Sequence, residues 1–231
     1  MSGKPEWNEC NNDRRDVKNA GGGEELMTAI IDYDAGNIKS VENALRFLGH
    51  DVVVTSDPGT ILRADHVILP GVGAFGDAMQ RIRGLGLEET IEEVVRRGTP
   101  FLGICLGLQL LFEESEESPG VRGLGLLPGK IRRIPDGEGR KVPQIGWNDL
   151  SFPRESRLFA GLTEGAFVYF VHSYYLEAGD PTDVTARTEY GVSIDAAVEH
   201  GNIFACQFHP EKSERVGMRI LENFMAVEGA E

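Results

Sequence analysis

From Met27 onward, the chain alternates short apolar runs with longer segments in which apolar side chains recur at helical spacing. Residues 28–33 form the first apolar run, and residues 37–48 place their apolar side chains on one helical face. Consecutive strand–helix units favour a largely parallel sheet with helices packed on both of its faces. Residues 27–231 are therefore predicted to form one α/β domain with a mostly parallel central sheet flanked by helices.

The same patterns predict where the remaining elements lie. Further strands are predicted at residues 52–54, 66–69, 101–104, 130–134, 167–175, 184–189, 196–199 and 203–208. Helices are predicted at residues 87–97 and 106–114, and the final helix is predicted to begin at an N-cap, Ser213. Ligands of such folds bind beyond the carboxyl ends of the strands, so chemistry is expected in the turns that follow strands.

Residues 1–26 differ from the rest of the chain, because they are polar and contain few apolar side chains. Such a segment cannot bury enough apolar surface to fold by itself, so it is predicted to be a disordered tail. Met27, directly before the first predicted strand, is an alternative natural start of the protein.

The formal net charge of the chain is −14. This charge would repel a phosphate backbone, so no nucleic acid is expected as a ligand. No apolar run approaches the roughly 18 residues needed to span a bilayer, and the N-terminus lacks the apolar core of a signal peptide. The sequence therefore predicts a cytoplasmic protein that does not enter a membrane.

The three cysteines, Cys10, Cys105 and Cys206, fit neither a disulfide framework nor a CxxC metal site. Cys105 follows a predicted strand and opens a helix within the sequence Gly-Ile-Cys-Leu-Gly. This spacing is typical of a nucleophile elbow with Cys in place of Ser. The helix N-terminus favours the thiolate, which is the reactive form. The alternative for Cys105 is a buried structural cysteine, and Cys206 is expected to pack in the core.

A cysteine nucleophile needs a general base, and that base needs an orienting group. His209 directly follows the predicted strand 203–208, where this fold is expected to carry chemistry. Glu211 could hold the far ring nitrogen of His209 and fix its tautomer. A histidine at a strand end is by itself as often structural as catalytic, but its combination with Cys105 favours a catalytic role.

Residues 70–76, with the sequence PGVGAFG, follow another predicted strand. Glycines let a backbone approach a ligand closely. A peptide N–H from Val72–Gly73, paired with the N–H of Leu106, would form an oxyanion hole beside the elbow. An ordinary glycine turn is the alternative.

The stretch 103–109, Gly-Ile-Cys-Leu-Gly-Leu-Gln, together with His209-Pro210-Glu211, resembles the class I (triad) glutamine amidotransferases. Further stretches are similar to one branch of that family, the glutaminase subunits of imidazole glycerol phosphate synthase in histidine biosynthesis. These stretches are residues 31–37, 69–76, 143–148, 170–174 and 209–213. The resemblance extends from Met27 to the C-terminus and implies a flavodoxin-like glutaminase domain over residues 27–231.

The resemblance also implies the activity. Cys105 would attack the carboxamide of L-glutamine, and His209, oriented by Glu211, would move the proton, with no cofactor and no metal. Ammonia would pass to a (β/α)₈ cyclase (synthase) subunit in a heterodimer, which forms imidazole glycerol phosphate and aminoimidazole carboxamide ribonucleotide. The resemblance implies that Val72, Gly73 and Leu106 form the oxyanion hole. It implies glutamine contacts at Gln109, Ser173 and Tyr174. It implies that Trp147, Tyr169 and Lys212 face the partner.

Other functions remain open at the level of sequence. Another class I amidotransferase would share the triad but is not expected to share the stretch 143–148. A cysteine hydrolase with a similar elbow would not need a His-Pro-Glu sequence after a late strand. A non-catalytic regulatory subunit would be expected to have lost Cys105, His209 or Glu211, and all three are present.

Overall fold

The computed structural model describes residues 26–229 of the chain. The predicted disordered tail, residues 1–26, therefore lies outside the described residues except for Leu26, which is exposed. None of the helices within residues 26–229 is long and apolar enough to cross a membrane.

The elements follow the alternation expected from the sequence. The strands are β1 (Met27–Ile31), β2 (Asp51–Thr55), β3 (His66–Gly71), β4 (Phe101–Cys105), β5 (Glu114–Ser115), β6 (Gly129–Arg133), β7 (Gln144–Leu150), β8 (Ala166–His172), β9 (Tyr174–Ala178), β10 (Val184–Glu189), β11 (Ser193–His200) and β12 (Ile203–Cys206). The α-helices are α1 (Ile38–Phe47), α2 (Pro58–Ile61), α3 (Phe75–Gly84), α4 (Leu87–Arg96), α5 (Leu106–Leu110) and α6 (Glu214–Met225). Single 3₁₀ turns lie at Arg157–Phe159 and Pro210–Lys212.

The central sheet has the strand order β2-β1-β3-β4-β12-β11-β9-β6-β5, and β10 pairs with β11. The strands from β2 to β12 in this order run parallel, and β11 then pairs antiparallel with β12. Gly71 of β3 is in register with Cys105 of β4, and Cys206 of β12 is in register with Ile104. The carboxyl ends of these three strands therefore meet at one edge, as predicted.

Helices cover both faces of the sheet and exclude water from it. On one face, α3 and α4 pack through apolar side chains such as Met79 and Ile91. On the other face, α1 and α6 pack through side chains such as Leu45 and Phe224. The Phe224 ring is fully buried and lies edge-on to Phe204 at 5.8 Å, so truncating it to alanine would cost about 3–5 kcal/mol. Two-sided burial explains why the parallel strands are apolar on both faces.

The helix predicted at residues 106–114 is shorter in the structure, where it ends at Leu110. A helix continues only while each carbonyl accepts from the amide four residues later. Here, the carbonyl of Leu110 accepts from the amide of Leu124 at 2.8 Å, and the carbonyl of Leu111 accepts from Leu126 at 2.9 Å. A distant segment therefore takes the carbonyls that the next helical turn would need.

The single strand predicted at residues 167–175 is two strands that belong to different sheets. β8 pairs with β7 in a separate two-stranded sheet, whereas β9 pairs with β6 in the central sheet. The break falls at Ser173, between His172 and Tyr174. Nδ1 of His172 lies 2.8 Å from the carbonyl oxygen of Tyr174, which ties the two sides of the break together.

Ser213 precedes α6 as predicted, but its side chain does not cap the helix. Its hydroxyl instead donates to the carbonyl of His209 at 2.7 Å and accepts from the amide of Tyr169 at 2.9 Å. The predicted side-chain cap is therefore wrong. Ser213 joins the turn that carries His209 to the neighbouring strand β8.

Candidate active site

Cys105 stands at the junction of β4 and α5 with φ 55° and ψ −107°. A non-glycine residue adopts such a backbone only when its surroundings hold it there, at a cost of about 1–3 kcal/mol. The two flanking glycines make the turn possible. A Cβ at Gly107 would overlap the carbonyl oxygen of Leu69, and a Cβ at Gly103 would lie 2.8 Å from the carbonyl oxygen of Gly107.

Cys105 is buried, with 6% of its surface exposed. Its side chain lines a cavity of about 310 Å³. The sulfur lies 3.8 Å from the carbonyl oxygen of Val171 and 3.7 Å from the side-chain nitrogen of Gln207. A volume of this size suits a small polar ligand.

His209 and Glu211 form a buried pair beside the sulfur. Nδ1 of His209 lies 2.8 Å from Oε1 of Glu211, and both side chains are almost fully buried. The Nδ1 proton therefore goes to the carboxylate, which leaves Nε2 free to face Cys105. Burial lowers the pKa of His209, but hydrogen bonds with Cys105 and Glu211 outweigh burial and raise this pKa to about 9. The imidazole is consequently protonated at neutral pH.

Asn37 joins this pair, although no role for it was predicted from the sequence. Its Nδ2 donates to Oε1 of Glu211 at 2.6 Å and lies 3.4 Å from Nδ1 of His209. Asn37 directly precedes α1 and has φ 72°, a left-handed conformation that Asn tolerates better than most residues. The other carboxylate oxygen of Glu211 is buried and has no hydrogen-bond partner among residues 26–229.

The predicted oxyanion residues lie together at the edge of the sheet. Val72 and Gly73 follow β3, whose last residue is in register with Cys105, and Leu106 is the first residue of α5. All three line the same cavity as the sulfur. Within the described chain, the amides of Val72 and Gly73 donate to no other residue. They are therefore available to a ligand.

Tyr33 supports the strand that leads into this loop. Strand β1 pairs with β3 only as far as Ile30 and Ile68, so Pro70 lies beyond the end of the ladder. The buried hydroxyl of Tyr33 donates to the carbonyl of Pro70 at 2.9 Å and replaces the missing strand partner. A Cβ at Gly71 would overlap this hydroxyl. Burial raises the pKa of Tyr33, so the hydroxyl stays a neutral donor.

The three predicted glutamine-binding residues also line the cavity, which brings them within one site. The full lining is Val72, Gly73, Cys105, Leu106, Gln109, Glu117, Pro143, Val171, His172, Ser173, Tyr174, His209 and Lys212. Gln109 donates through Nε2 to the carbonyl of Tyr174 at 3.1 Å and to Oε1 of Gln207 at 3.0 Å. Its donors are thus taken, and its carbonyl oxygen is the group left for a ligand.

Glu117 is a lining residue that the sequence did not reveal. Its carboxylate accepts from the amide of Phe75 at 2.7 Å and so caps the start of α3. Neither α3 nor this contact was predicted, because residues 70–76 suggest only a glycine turn. Glu117 lies in an acidic, serine-containing stretch that carries no motif.

The predicted partner-facing residues divide into two places. Trp147 and Tyr169 lie opposite each other on β7 and β8, with their rings edge to face at 5.9 Å. Lys212 is exposed at the mouth of the cavity. The same side of the small sheet also exposes Ile145 and Phe167, with 63% and 54% of their surface open. An apolar surface therefore lies beside the cavity.

The cavity also contains a neutral histidine, His172. His172 is buried, and burial lowers its pKa to about 4, so the ring is neutral. Its single N–H, on Nδ1, donates to the carbonyl of Tyr174 at 2.8 Å, so Nε2 accepts and the side-chain amide of Gln144, 3.0 Å away, turns its NH₂ toward the ring. Within residues 26–229, no group of three or more His, Cys, Asp or Glu side chains could hold a metal ion.

Comparison with known sequences connects this site to a family. The sequence model of the glutamine amidotransferase class-I family matches residues 29–227. The imidazole glycerol phosphate synthase subunit HisH of Moorella thermoacetica is 54% identical over 196 residues, which cover 85% of this chain and 92% of that relative. The subunit HisH of Methanothermobacter thermautotrophicus is 53% identical over 201 residues, which cover 87% of this chain and 98% of that relative.

Solved structures share the fold. A crystal structure of a glutamine amidotransferase aligns with a TM-score of 0.68 at 22% identity, covering 87% of this chain and 100% of that chain. A glutamine amidotransferase from Thermotoga maritima aligns with a TM-score of 0.59 at 18% identity, covering 88% and 84% of the two chains. These likenesses confirm the predicted architecture. Since the family model spans most of the sequence and both HisH relatives are more than half identical, the chain belongs to the class I glutamine amidotransferases, in the branch of the imidazole glycerol phosphate synthase subunit HisH.

Proposed function

We propose that the chain hydrolyses L-glutamine to L-glutamate and ammonia at Cys105 and delivers the ammonia to a synthase subunit. The observation that carries this proposal is the arrangement of Cys105, His209 and Glu211 at the cavity. Glu211 lies 2.8 Å from Nδ1 of His209, and His209 and Cys105 line the same cavity of about 310 Å³. This is the order of contacts that nucleophilic catalysis requires.

The chemistry follows from the protonation of the pair. With the imidazole of His209 protonated, the thiolate of Cys105 attacks the carboxamide carbon of glutamine. The tetrahedral intermediate collapses, the C–N bond breaks, and His209 gives its proton to the departing nitrogen, which leaves as ammonia. A γ-glutamyl thioester remains on Cys105. The now neutral His209 takes a proton from water, whose oxygen attacks the thioester, and glutamate leaves as the thiolate is restored.

The oxyanion of both tetrahedral intermediates needs hydrogen-bond donors. The amide of Leu106 at the start of α5 is one donor, because the first amides of a helix have no carbonyl one turn earlier. The Val72–Gly73 peptide is the second, and within the described chain the amides of Val72 and Gly73 donate to no other residue. Docking of the partner would turn this peptide toward the site. Glutamine would then be hydrolysed only when a partner is present to use the ammonia.

Recognition of glutamine requires groups for its carboxylate and its ammonium. Ser173 and Tyr174 lie at the break between the two sheets and offer backbone and side-chain contacts to the amino acid. The half-buried carboxylate of Glu117 and the free carbonyl oxygen of Gln109 are acceptors, and acceptors are what the α-ammonium needs. The positions of these groups would select an α-amino acid over a simple amide.

The partner is a (β/α)₈ cyclase (synthase) subunit that binds as a heterodimer to the outer side of β7 and β8. In support, the relatives are subunits of imidazole glycerol phosphate synthase, and this side exposes Trp147, Ile145 and Phe167 next to the cavity. Tyr169 and Lys212 extend the same surface. The synthase would use the ammonia to form imidazole glycerol phosphate and aminoimidazole carboxamide ribonucleotide in histidine biosynthesis. A cytoplasmic location stays a prediction from the sequence.

Glutamate release from glutamine tests the proposal. The rate is measured for the chain alone, with the synthase subunit, and with the synthase subunit plus its nucleotide ligand, with Cys105→Ala as the blank. We expect slow release by the chain alone and a sharp rise in the full complex. Fast release that ignores this partner would leave Cys105 as a glutaminase nucleophile but would exclude the proposed pathway. No release under any condition would indicate a regulatory subunit.

A second experiment tests the docking surface. Phe167→Glu places a charge on the exposed apolar side of β8 and should weaken binding to the synthase subunit at least tenfold. Phe47→Glu is the matched control, because Phe47 is 82% exposed at the far end of α1 from the site. Equal binding by the two variants would exclude this surface.

A further inference from the structure

We propose that Gln207 is a further catalytic residue, whose side-chain amide donates a hydrogen bond to the Cys105 sulfur whenever that sulfur is an anion. This inference rests on the proposed role of Cys105 as the nucleophile. Gln207 lies directly after β12, two residues before His209, and its side chain is fully buried. Its Nε2 lies 3.7 Å from Sγ of Cys105, within hydrogen-bond reach of a sulfur acceptor.

The neighbouring hydrogen bonds determine which end of the Gln207 side-chain amide faces the sulfur. The carbonyl of Tyr174 can only accept, so the side-chain group of Gln109 that faces it must be the NH₂. The same NH₂ lies 3.0 Å from Gln207, which must therefore present its carbonyl oxygen. The NH₂ of Gln207 is then left on the opposite side, where it faces the sulfur. Two amides thus orient each other and aim one donor at Cys105.

The backbone holds Gln207 in this position. Its amide donates to the carbonyl of Ala196 in β11 at 2.8 Å, immediately beyond the last paired residue of β12. Both its backbone and its side chain are therefore anchored. A donor that does not move loses no conformational freedom when the anion forms, which is the condition for electrostatic preorganisation.

The sulfur has few other sources of stabilisation in its buried position. The carbonyl oxygen of Val171, at 3.8 Å, suits a thiol but repels a thiolate. His209 stabilises the thiolate, but it must release its proton to the leaving nitrogen, which departs as ammonia, and later take a proton from water. Gln207 exchanges no proton and remains a donor in every step. We infer that it assists both the attack by the thiolate and the departure of the thiolate from the thioester.

The test measures the sulfur directly, without glutamine turnover. Gln207→Met keeps the length of the side chain but removes its donor. Alkylation of Cys105 by iodoacetamide is followed across a pH series, and Cys105→Ala reports the background from the other thiols. We expect alkylation at neutral pH to slow about tenfold and its pH dependence to move to higher pH, because hydrogen bonds to charged groups are among the stronger ones. In the complex with the synthase subunit, kcat for glutamate release should fall while KM for glutamine changes little.

Gln144→Met is the matched control, because Gln144 is a buried glutamine that contacts His172 and not the sulfur. It should leave the rate and pH dependence of alkylation unchanged. Circular dichroism checks that each variant folds. If Gln207→Met does not fold, Gln207→Leu gives the same test, since leucine also has no donor and adds no charge beside the sulfur.

Alkylation of the Gln207 variant with the rate and pH dependence of the unmodified protein would overturn the proposal. The two proposals fail separately. A changed alkylation profile without glutamate release in any condition would support the contact between Gln207 and the sulfur while excluding the glutaminase reaction. Normal alkylation with lost glutamate release would assign Gln207 to substrate binding instead.

Discussion

The side-chain amide of Asn37 lies 2.6 Å from the carboxylate of Glu211, and this contact links the turn after the first strand to the turn after the last. The two residues are far apart in the chain, but both follow parallel strands of the same sheet. The left-handed backbone of Asn37 aims the amide at Glu211. The orientation of the carboxylate, and through it that of His209, therefore depends on the loop that precedes α1.

Asn37→Gly should lower kcat/KM for glutamate release about tenfold. Glycine accepts the left-handed backbone, so the substitution removes the amide without adding strain. The lost bond is charge-assisted, and such bonds contribute about 1.5–3 kcal/mol. The measurement is steady-state glutamate release in the complex with the synthase subunit. Lys39→Ala, an exposed change on the same helix, should have no effect, and equal rates in all three proteins would contradict a role for Asn37.

The kcat/KM for glutamate release should fall as the pH rises through about 9. The pKa of His209 is raised from 6.5 to about 9, so the imidazolium that protonates the leaving nitrogen persists to that pH. The raised pKa also means that the free energy of unfolding contains a contribution from protonated His209. Stabilisation from charged His209 is fully present below pH 6.5 and is lost as the pH rises through 9. A pH–rate profile that changes near 6.5 instead would show an ordinary histidine.

Acid should destabilise the protein through His172. Burial lowers the pKa of this histidine from 6.5 to about 4, so its contribution to stability is present above pH 6.5 and is lost as the pH falls toward 4. A change of this size corresponds to about 3 kcal/mol. Urea unfolding at neutral pH and at pH near 4 should show a larger loss for the natural protein than for His172→Gln. Parallel losses in the two proteins would contradict this assignment.

Gly107→Ala should cost about 3 kcal/mol of folding free energy, because its methyl group would overlap a backbone oxygen that cannot turn away. The elbow would have to open, so alkylation of Cys105 should change as well. Gly84→Ala at the end of α3 is the control, since a Cβ there meets nothing within 4 Å. Thermal unfolding of the control should be unchanged or slightly raised. A stable Gly107→Ala protein would show that the elbow is not tightly packed.

Much of the fold was predictable because its signals are local. The strand that leads to Cys105 is a short apolar run, and the helix at Leu87–Arg96 has apolar residues at helical spacing. Glycines next to these elements mark where they begin and end. The positions of Cys105, His209 and Val72 at one edge followed from the rule that parallel strands align their carboxyl ends. These predictions needed only the sequence and the handedness of strand–helix units.

The remaining features depend on partners that are distant in sequence. The early end of α5 is set by the amides of Leu124 and Leu126, and no residue within the helix signals it. The break at Ser173 arises because β8 and β9 find partners in different sheets. Asn37 and Gln207 acquire their roles only when β1, β4 and β12 come together in one sheet. A chain read residue by residue contains no signal for such contacts.

The hydroxyl of Tyr33 extends the support of β3 past the point where the backbone of β1 turns away. On the side that faces β1, the end of β3 that leads into the oxyanion loop is thus held by one oxygen atom, and Tyr33→Phe deletes that atom while keeping the ring. The same oxygen occupies the space that any side chain at Gly71 would need. Positions 33 and 71 should therefore covary among related chains. A chain with a side chain at position 71 should lack tyrosine at position 33.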